Sequence, residues 1–308
     1  MARRFTHMQN NKEANLKIEW WRGKNANFYP TKSPMSDITK IKENILKGWL
    51  PDAPFINKGS KVVALGSCFA REISNFLVSK KYSTLKRQGG HNGREFIYSG
   101  VNNTFAVRQL FEFAWTGKEP KDETWHSQKG PLHKELTVKT QKELSEYFSQ
   151  TKAFIITLGL SEVWYNKKTS DVFWRAIPKD IFDSDKHGFR VTTVQENVEN
   201  IQEIIKLIKI HAPDAKIILT LSPVPLYATF RPVSCVSASA VSKSILRVAV
   251  DEVMRDSEDF NKSLFYWPSY EIITSFFKDP YKEDNRHIEA HCVSTIMSEF
   301  SKYFIQTE

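Results

Sequence analysis

The sequence predicts an α/β fold, a three-layer sandwich in which helices cover both faces of a central, mostly parallel sheet. Three observations predict it. Short apolar runs rich in β-branched and aromatic residues recur between turn residues. Segments with apolar residues every three or four positions lie between those runs. The two signals alternate along the chain, and alternation of that kind builds a parallel sheet buried on both sides.

Residues 1–58 read as an N-terminal arm that packs aromatic residues onto the main domain. They are polar and irregular, with Trp20, Trp21 and the run "GWLPDAPF", and carry one short helix over about 36–47. The main domain spans 59–308. Its first strand is "KVVAL" (61–65), ended by Gly66, with a helix over 70–79 and a weaker strand in "KYSTLK" (81–86). A helix follows over about 104–116. Residues 117–150 and 160–190 are long for loops and read as insertions over one rim. Between them lies the strand "AFIITL" (153–158). The helix that starts at Val194 turns Val198, Ile201, Ile204, Ile205 and Ile208 to one side and is stopped by Pro213. "KIILTL" (216–221) and "SLFYW" (263–267) are the remaining strands, with helices over about 238–254 and 288–304.

Composition narrows the class. The 308 residues include 44 Lys and Arg against 35 Asp and Glu, a formal charge of +9 and a pI near 9.2. That balance suits anionic partners without choosing among nucleic acid, lipid and an acidic substrate, and a basic soluble surface has the same composition. The basic residues are spread out and match no nucleic-acid motif, which argues against nucleic acid. The loop "LKRQGGHNGR" (85–94) gathers Lys86, Arg87, His91 and Arg94 among glycines and could hold an anion or simply be solvated. Three scattered cysteines suggest neither a disulfide framework nor a metal pair. No apolar stretch is long enough to span a membrane, and the basic N-terminus has no apolar core behind it. A cytoplasmic location is the expectation, with no cofactor required.

Function in an open parallel sheet gathers at the carboxyl ends of its strands, and polar residues stand at several of them. In "LGSCFARE" a serine follows a strand-ending glycine and opens a helix. Ser67 there reads as a nucleophile whose own N–H faces an oxyanion, or as a plain helix cap. Cys68 is the more acidic neighbour, but its side chain is expected to point toward the sheet and fill space beneath the site. In "EDNRHIEAH" Asp284 and His287 stand three apart, as a base and the carboxylate that orients it. His287 and His291 have i, i+4 spacing, yet the order is H-x-E-x-H and no third ligand is evident, so no metal is expected. In "FIYSGVNNTFA" Gly100 and Asn103 are candidate oxyanion donors, with a helix cap as the competing role of the asparagine. "TLGLSEVW" brings Gly159 and Glu162 to the same rim.

Taken together, these stretches resemble the GSCFA family. "GSCFA" (66–70) is its naming motif, and "TLGLSEVW", "LTLSPVPL" (219–226), "VSKSIL" (241–246), "WPSYEI" (267–272) and "DNRH" (284–287) follow in its order over residues 60–300. That family is similar to SGNH, or GDSL-like, hydrolases, whose fold is flavodoxin-like. The resemblance implies an esterase or acyltransferase acting on small-molecule or glycan acyl esters, with Ser67 as nucleophile, His287 as base and Asp284 as its orienter. It implies an oxyanion hole made of the Ser67 N–H, the Gly100 N–H and the Asn103 side chain. One position departs from the pattern: SGNH enzymes carry G-x-N-D where this chain reads Gly159-Leu160-Ser161-Glu162. A carboxylate is unsuited to an oxyanion hole, so Glu162 is expected to meet substrate or a basic partner such as Arg175. The missing asparagine keeps open an alternative, a catalytically weak or inactive protein that binds an anionic ligand.

Overall fold

The computed structural model describes residues 4–9, 12–17, 27–35, 37–84, 101–119, 126–127, 130–131 and 137–306. Near the N-terminus lie a hairpin, β1 (Arg4–Gln9) with β2 (Lys12–Lys17), and two short helices, α1 (Lys32–Met35) and α2 (Ile41–Asn44). The main domain then runs β3 (Lys61–Gly66), α3 (Cys68–Ser79), β4 (Ser83–Thr84) and α4 (Thr104–Thr116). A small ladder, β5 (His126–Ser127) with β6 (Gly130–Pro131), precedes α5 (Val138–Ser149), β7 (Ala153–Leu158) and the hairpin β8 (Glu162–Asn166) with β9 (His187–Val191). The rest is α6 (Val194–His211), β10 (Lys216–Leu221), α7 (Cys235–Asp256), β11 (Leu264–Trp267), α8 (Ser269–Ser275) and α9 (Ala290–Phe304).

Five strands form the central sheet in the order β11-β10-β7-β3-β4, every neighbouring pair parallel. After β3 the chain goes to one edge for β4 and returns to the other side of β3 for β7. The strand order therefore reverses between β3 and β7, and the crevice above their carboxyl ends is the topological switch point. Ser67 and Gly159 follow those two strands directly.

The strands look uniformly apolar in sequence because both faces are covered. Val63 and Leu65, Phe154, Ile156 and Leu158, and Ile217 and Leu219 belong to the core beneath α4, α5, α6 and α7. Their alternates Val62, Ala64, Ile155, Ile218, Phe265 and Trp267 pack beneath α3, α8 and α9. Fully buried side chains of this size each contribute about 1.5–3 kcal/mol. The N-terminal segment adds to both layers: Phe55 stacks on Phe265 in the second with ring centroids 5.3 Å apart, and Trp49 meets Tyr266 in the first edge-on at 5.2 Å. Trp20 and Trp21 lie outside the described residues.

Several elements differ from expectation. In place of a helix over 36–47 there is a 3-10 turn at Ile38–Lys40 and then α2, because the Asp37 carboxylate takes both the Thr39 N–H (2.9 Å) and its hydroxyl and so opens a tight turn. Within 81–86, Lys81 turns at φ 64 and Ser83–Thr84 pair with β3. Both insertions contain regular elements among the described residues. Residues 160–190 supply the β8–β9 hairpin, and 117–150 supply α5, which buries Phe148 against Phe111 and Trp115. Among the described residues no helix is long and apolar enough to cross a membrane.

Candidate active site

The turn after β3 is forced by its glycine. Gly66 has φ +123, and a Cβ there would lie 2.1 Å from the Thr157 carbonyl oxygen of β7. No side chain fits, so the backbone can swing from strand into helix. Ser67 follows in an extended conformation and caps α3, its Oγ accepting the Phe69 N–H at 3.3 Å. Its own N–H donates to Thr157 O at 3.0 Å. The Ser67 N–H expected in an oxyanion hole is thus engaged with β7.

Gly159 sits against this turn. Its N–H donates to the Asn102 carbonyl at 2.8 Å, and a Cβ on it would lie 2.9 Å from that oxygen and 3.2 Å from Ser67 Cβ. Gly159 is therefore a packing point between the Ser67 turn and the loop before α4. The neighbouring asparagines divide their work there. Asn103 caps α4, its Oδ1 accepting the Ala106 N–H at 2.8 Å, while its Nδ2 donates to Trp174 O at 3.3 Å. Both ends of the expected oxyanion donor are spent on structure. Asn102 instead borders Gly159, its Oδ1 buried without a hydrogen-bond partner. Gly100 and the basic loop at 85–94 lie outside the described residues.

Asp284 and His287 come together as the spacing suggested. The Asp284 carboxylate accepts the His287 backbone N–H at 3.0 Å and bonds the imidazole Nδ1. The backbone bond, then the imidazole, holds the Asp284 carboxyl down to about 2. An Nδ1–H donated to the carboxylate leaves Nε2 with its lone pair, the tautomer of a general base. The turn that carries them packs on the strand ends through Tyr281, whose hydroxyl donates to Pro223 O at 3.2 Å. His287 lines a cleft of about 490 Å³ between α3 and α9. Among the described residues Ser67 Oγ makes no hydrogen bond to His287. Cys68 is exposed on the wall of that cleft, contrary to the expectation that it fills space under the site. The reason is helical phase: Phe69, Ala70, Ile73 and Leu77 form the buried stripe of α3, and the first helical position falls outside it.

Glu162 is buried at 6% exposure, with no hydrogen bond to either carboxylate oxygen. A basic neighbour is Arg231, 3.7 Å away. Arg175 is half-buried, and burial lowers its pKa. His287 precedes α9, so it shares no helix with His291, which lies instead against Cys292 Sγ at 3.2 Å. Among the described residues no three His, Cys, Asp or Glu side chains gather as a metal site would need.

One residue at this rim escaped the sequence reading. Lys243 of α7 is 3% exposed, and its Nζ donates to Gly159 O at 2.6 Å. Burial first, and the charge of Arg286 second, pull its pKa down to about 7. The signal was present in "VSKSIL": Ala238, Ser239, Ser242, Lys243, Leu246 and Ala249 keep helical periodicity, so the lysine falls on the buried stripe. Next to it, Ser242 Oγ accepts the Ser161 N–H at 2.8 Å. The start of α7 is therefore pinned to the turn after β7.

The GSCFA family profile matches residues 61–300. No curated protein matches the chain in sequence. Among solved structures it is similar to a carbohydrate esterase of family 3 from Talaromyces cellulolyticus, at 10% identity and TM-score 0.38, over 79% of this chain and 95% of that one. It is also similar to an acetyl xylan esterase from the rumen bacterium Butyrivibrio proteoclasticus, at 12% identity and TM-score 0.40, over 80% and 63% of the two chains. A third likeness is to a Streptococcus pneumonia protein described by the name platelet activating factor, at 12% identity and TM-score 0.42, over 88% and 91%.

Proposed function

We propose that this chain, which belongs to the GSCFA family, is a serine-dependent esterase or acyltransferase working through Ser67, His287 and Asp284. The observation that carries the reading is the Asp284–His287 pair, whose histidine lines the cleft between α3, the helix that Ser67 caps, and α9. Ser67 Oγ leaves its bond to the Phe69 N–H, at a cost of about 1 kcal/mol, and attacks the acyl carbon. His287 Nε2 takes the hydroxyl proton while Asp284 steadies the imidazolium. The carbonyl electron pair moves to oxygen and returns as the ester C–O bond breaks. The departing alkoxide takes the proton from His287 and leaves an acyl-serine. Water, or an acceptor hydroxyl, then reverses the sequence.

The oxyanion donors of this reading are shifted by one residue from the family-based expectation. Asn102 lies against Gly159, beside the reacting turn, through its backbone oxygen and Cβ. The Cys68 N–H belongs to the first turn of α3, where N–H groups have no intrahelical partner. Small acyl esters, acylated glycans among them, are the substrate class.

A second nucleophile is favoured by one observation, the exposure of Cys68 on the cleft that His287 lines. Turnover of 4-nitrophenyl acetate separates the two. Ser67→Ala is expected to lower kcat by at least about 10³-fold, and Cys68→Ala by less than about threefold. The reverse pattern moves the nucleophile to Cys68. Full activity in both variants sinks the proposal.

A further inference from the structure

We propose that Lys243 and Arg286 form an anion-binding subsite beside Ser67, taking a carboxylate or phosphate group carried by the ester substrate. The inference rests on the esterase reading for the identity of the ligand and on independent geometry for the site.

The first observation is a cation without a counter-ion. Lys243 is buried at 3% exposure, yet among the described residues the one hydrogen bond of its ammonium runs to a neutral carbonyl, Gly159 O. An ammonium has three donors, so two remain to be matched. Among the described residues no carboxylate forms an ion pair with it. Isolated buried charges are costly, and proteins retain them where a partner or ligand completes them.

The second observation is another cation brought to the same place. Arg286 precedes the proposed base. It donates from Nη2 to Pro225 O at 3.4 Å and lies over the Tyr227 ring at 4.8 Å. Its Nε is buried with no hydrogen-bond partner among the described residues. The turn it rests on is tied to α7, because the Leu226 N–H donates to Ser239 Oγ at 3.2 Å. Ser239 and Lys243 are one helical turn apart on one face of α7. Arg286 thus rests on the segment that Ser239 holds one helical turn from Lys243, and its charge acts on Lys243.

The third is position. Gly159 packs against both Ser67 and Asn102. An anion on Lys243 therefore lies next to the reacting turn, while Arg286 flanks it from the side of His287. A planar guanidinium and a buried ammonium together suit an oxyanion group with several acceptor oxygens.

The test is thermal unfolding of the full chain, titrated with inorganic phosphate and separately with succinate, ionic strength held constant with sodium chloride. A saturable rise in Tm with at least one anion is expected. Arg286→Gln and Lys243→Met are each expected to raise the fitted Kd at least about tenfold, and the distant surface variant Lys139→Gln to leave it unchanged. Preference for phosphate or for succinate assigns the anionic group of the ester. No saturable shift with either anion, or a wild-type Kd in Arg286→Gln, overturns the subsite. Should Lys243→Met fail to fold, Arg286→Gln decides alone. Because the measurement needs no turnover, an inert protein that still binds the anion sinks the esterase reading and leaves the subsite standing.

Discussion

Lys243 ties folding stability to pH in a direction set by its burial. Its pKa in the folded protein is about 7, against 10.5 for an ordinary lysine. Below pH 7 the folded state holds a charge away from water that the unfolded chain keeps solvated. Between about pH 7 and 10.5 the unfolded chain binds the proton that the folded state has released, so stability rises with pH. With those two values, the Lys243 contribution grows by about 1.4 kcal/mol between pH 6 and pH 8. Lys243→Met keeps the length of the side chain and removes the titration. Urea unfolding of both proteins at the two pH values, in a buffer poor in multivalent anions, measures the double difference. Histidines that titrate in the same range are present in both proteins and cancel. The Gly159 carbonyl stripped of its donor adds only a pH-independent offset. The expected result is that wild type gains about 1 kcal/mol on the variant from pH 6 to pH 8. A double difference within about 0.3 kcal/mol of zero refutes the claim that Lys243 titrates near neutrality.

Three further outcomes are expected. Gly66→Ala combines a positive φ with a Cβ 2.1 Å from a backbone oxygen, so it costs more than about 3 kcal/mol; a wild-type Tm would refute this. Asn103→Ala loses the α4 cap and costs about 1 kcal/mol, whereas Asn102→Ala lowers kcat about 10²-fold with stability nearly unchanged. Chemical unfolding and steady-state kinetics on the pair check that division, and exchanged effects would restore Asn103 as the oxyanion donor. Asp284→Asn removes the anchor of His287 and lowers kcat at least about 10²-fold. Since the wild-type carboxyl is held at about 2, the anchor stays ionised down to about pH 3. Steady-state kinetics check the loss, and a wild-type kcat in Asp284→Asn would contradict the assignment.

The sheet was legible because its physics is local. Each strand is a short apolar run, both faces are covered, and the sequence therefore shows no alternation to misread. The D-x-x-H pair was legible for the same reason, since residues three apart in one turn reach each other without help from the rest of the chain. What escaped depends on contacts between distant segments. α5 has few apolar residues, and its burial comes from Phe148 meeting α4. Arg231 pairs with Glu162 from a loop that sequence distance gave no reason to bring there. Lys243 was visible as a charge on an apolar helical stripe, but its partner is a backbone oxygen 84 residues away, which no side-chain pattern encodes.

Two choices lie between neighbours, Ser67 or Cys68 in the sequence and Asn102 or Asn103 once the structure is seen. In each pair one residue caps a helix and the other does not, and the backbone at the cap decides which side chain turns outward. Ser67 and Asn103 are the caps. For the asparagines this moves the candidate oxyanion donor to Asn102. Applied alone to the other pair, the same logic would select Cys68. A nucleophile and its oxyanion donor, however, must reach one carbonyl group from about 3 Å each. Gly159 lies against both, since a Cβ on it would stand 3.2 Å from Ser67 Cβ and 3.2 Å from Asn102 Cβ. The cap bond that holds Ser67 Oγ is also long, at 3.3 Å, and is readily exchanged for a substrate. On the proposed reading the shared neighbour Gly159 favours Ser67 as the nucleophile, while Cys68 stands on the wall of the cleft.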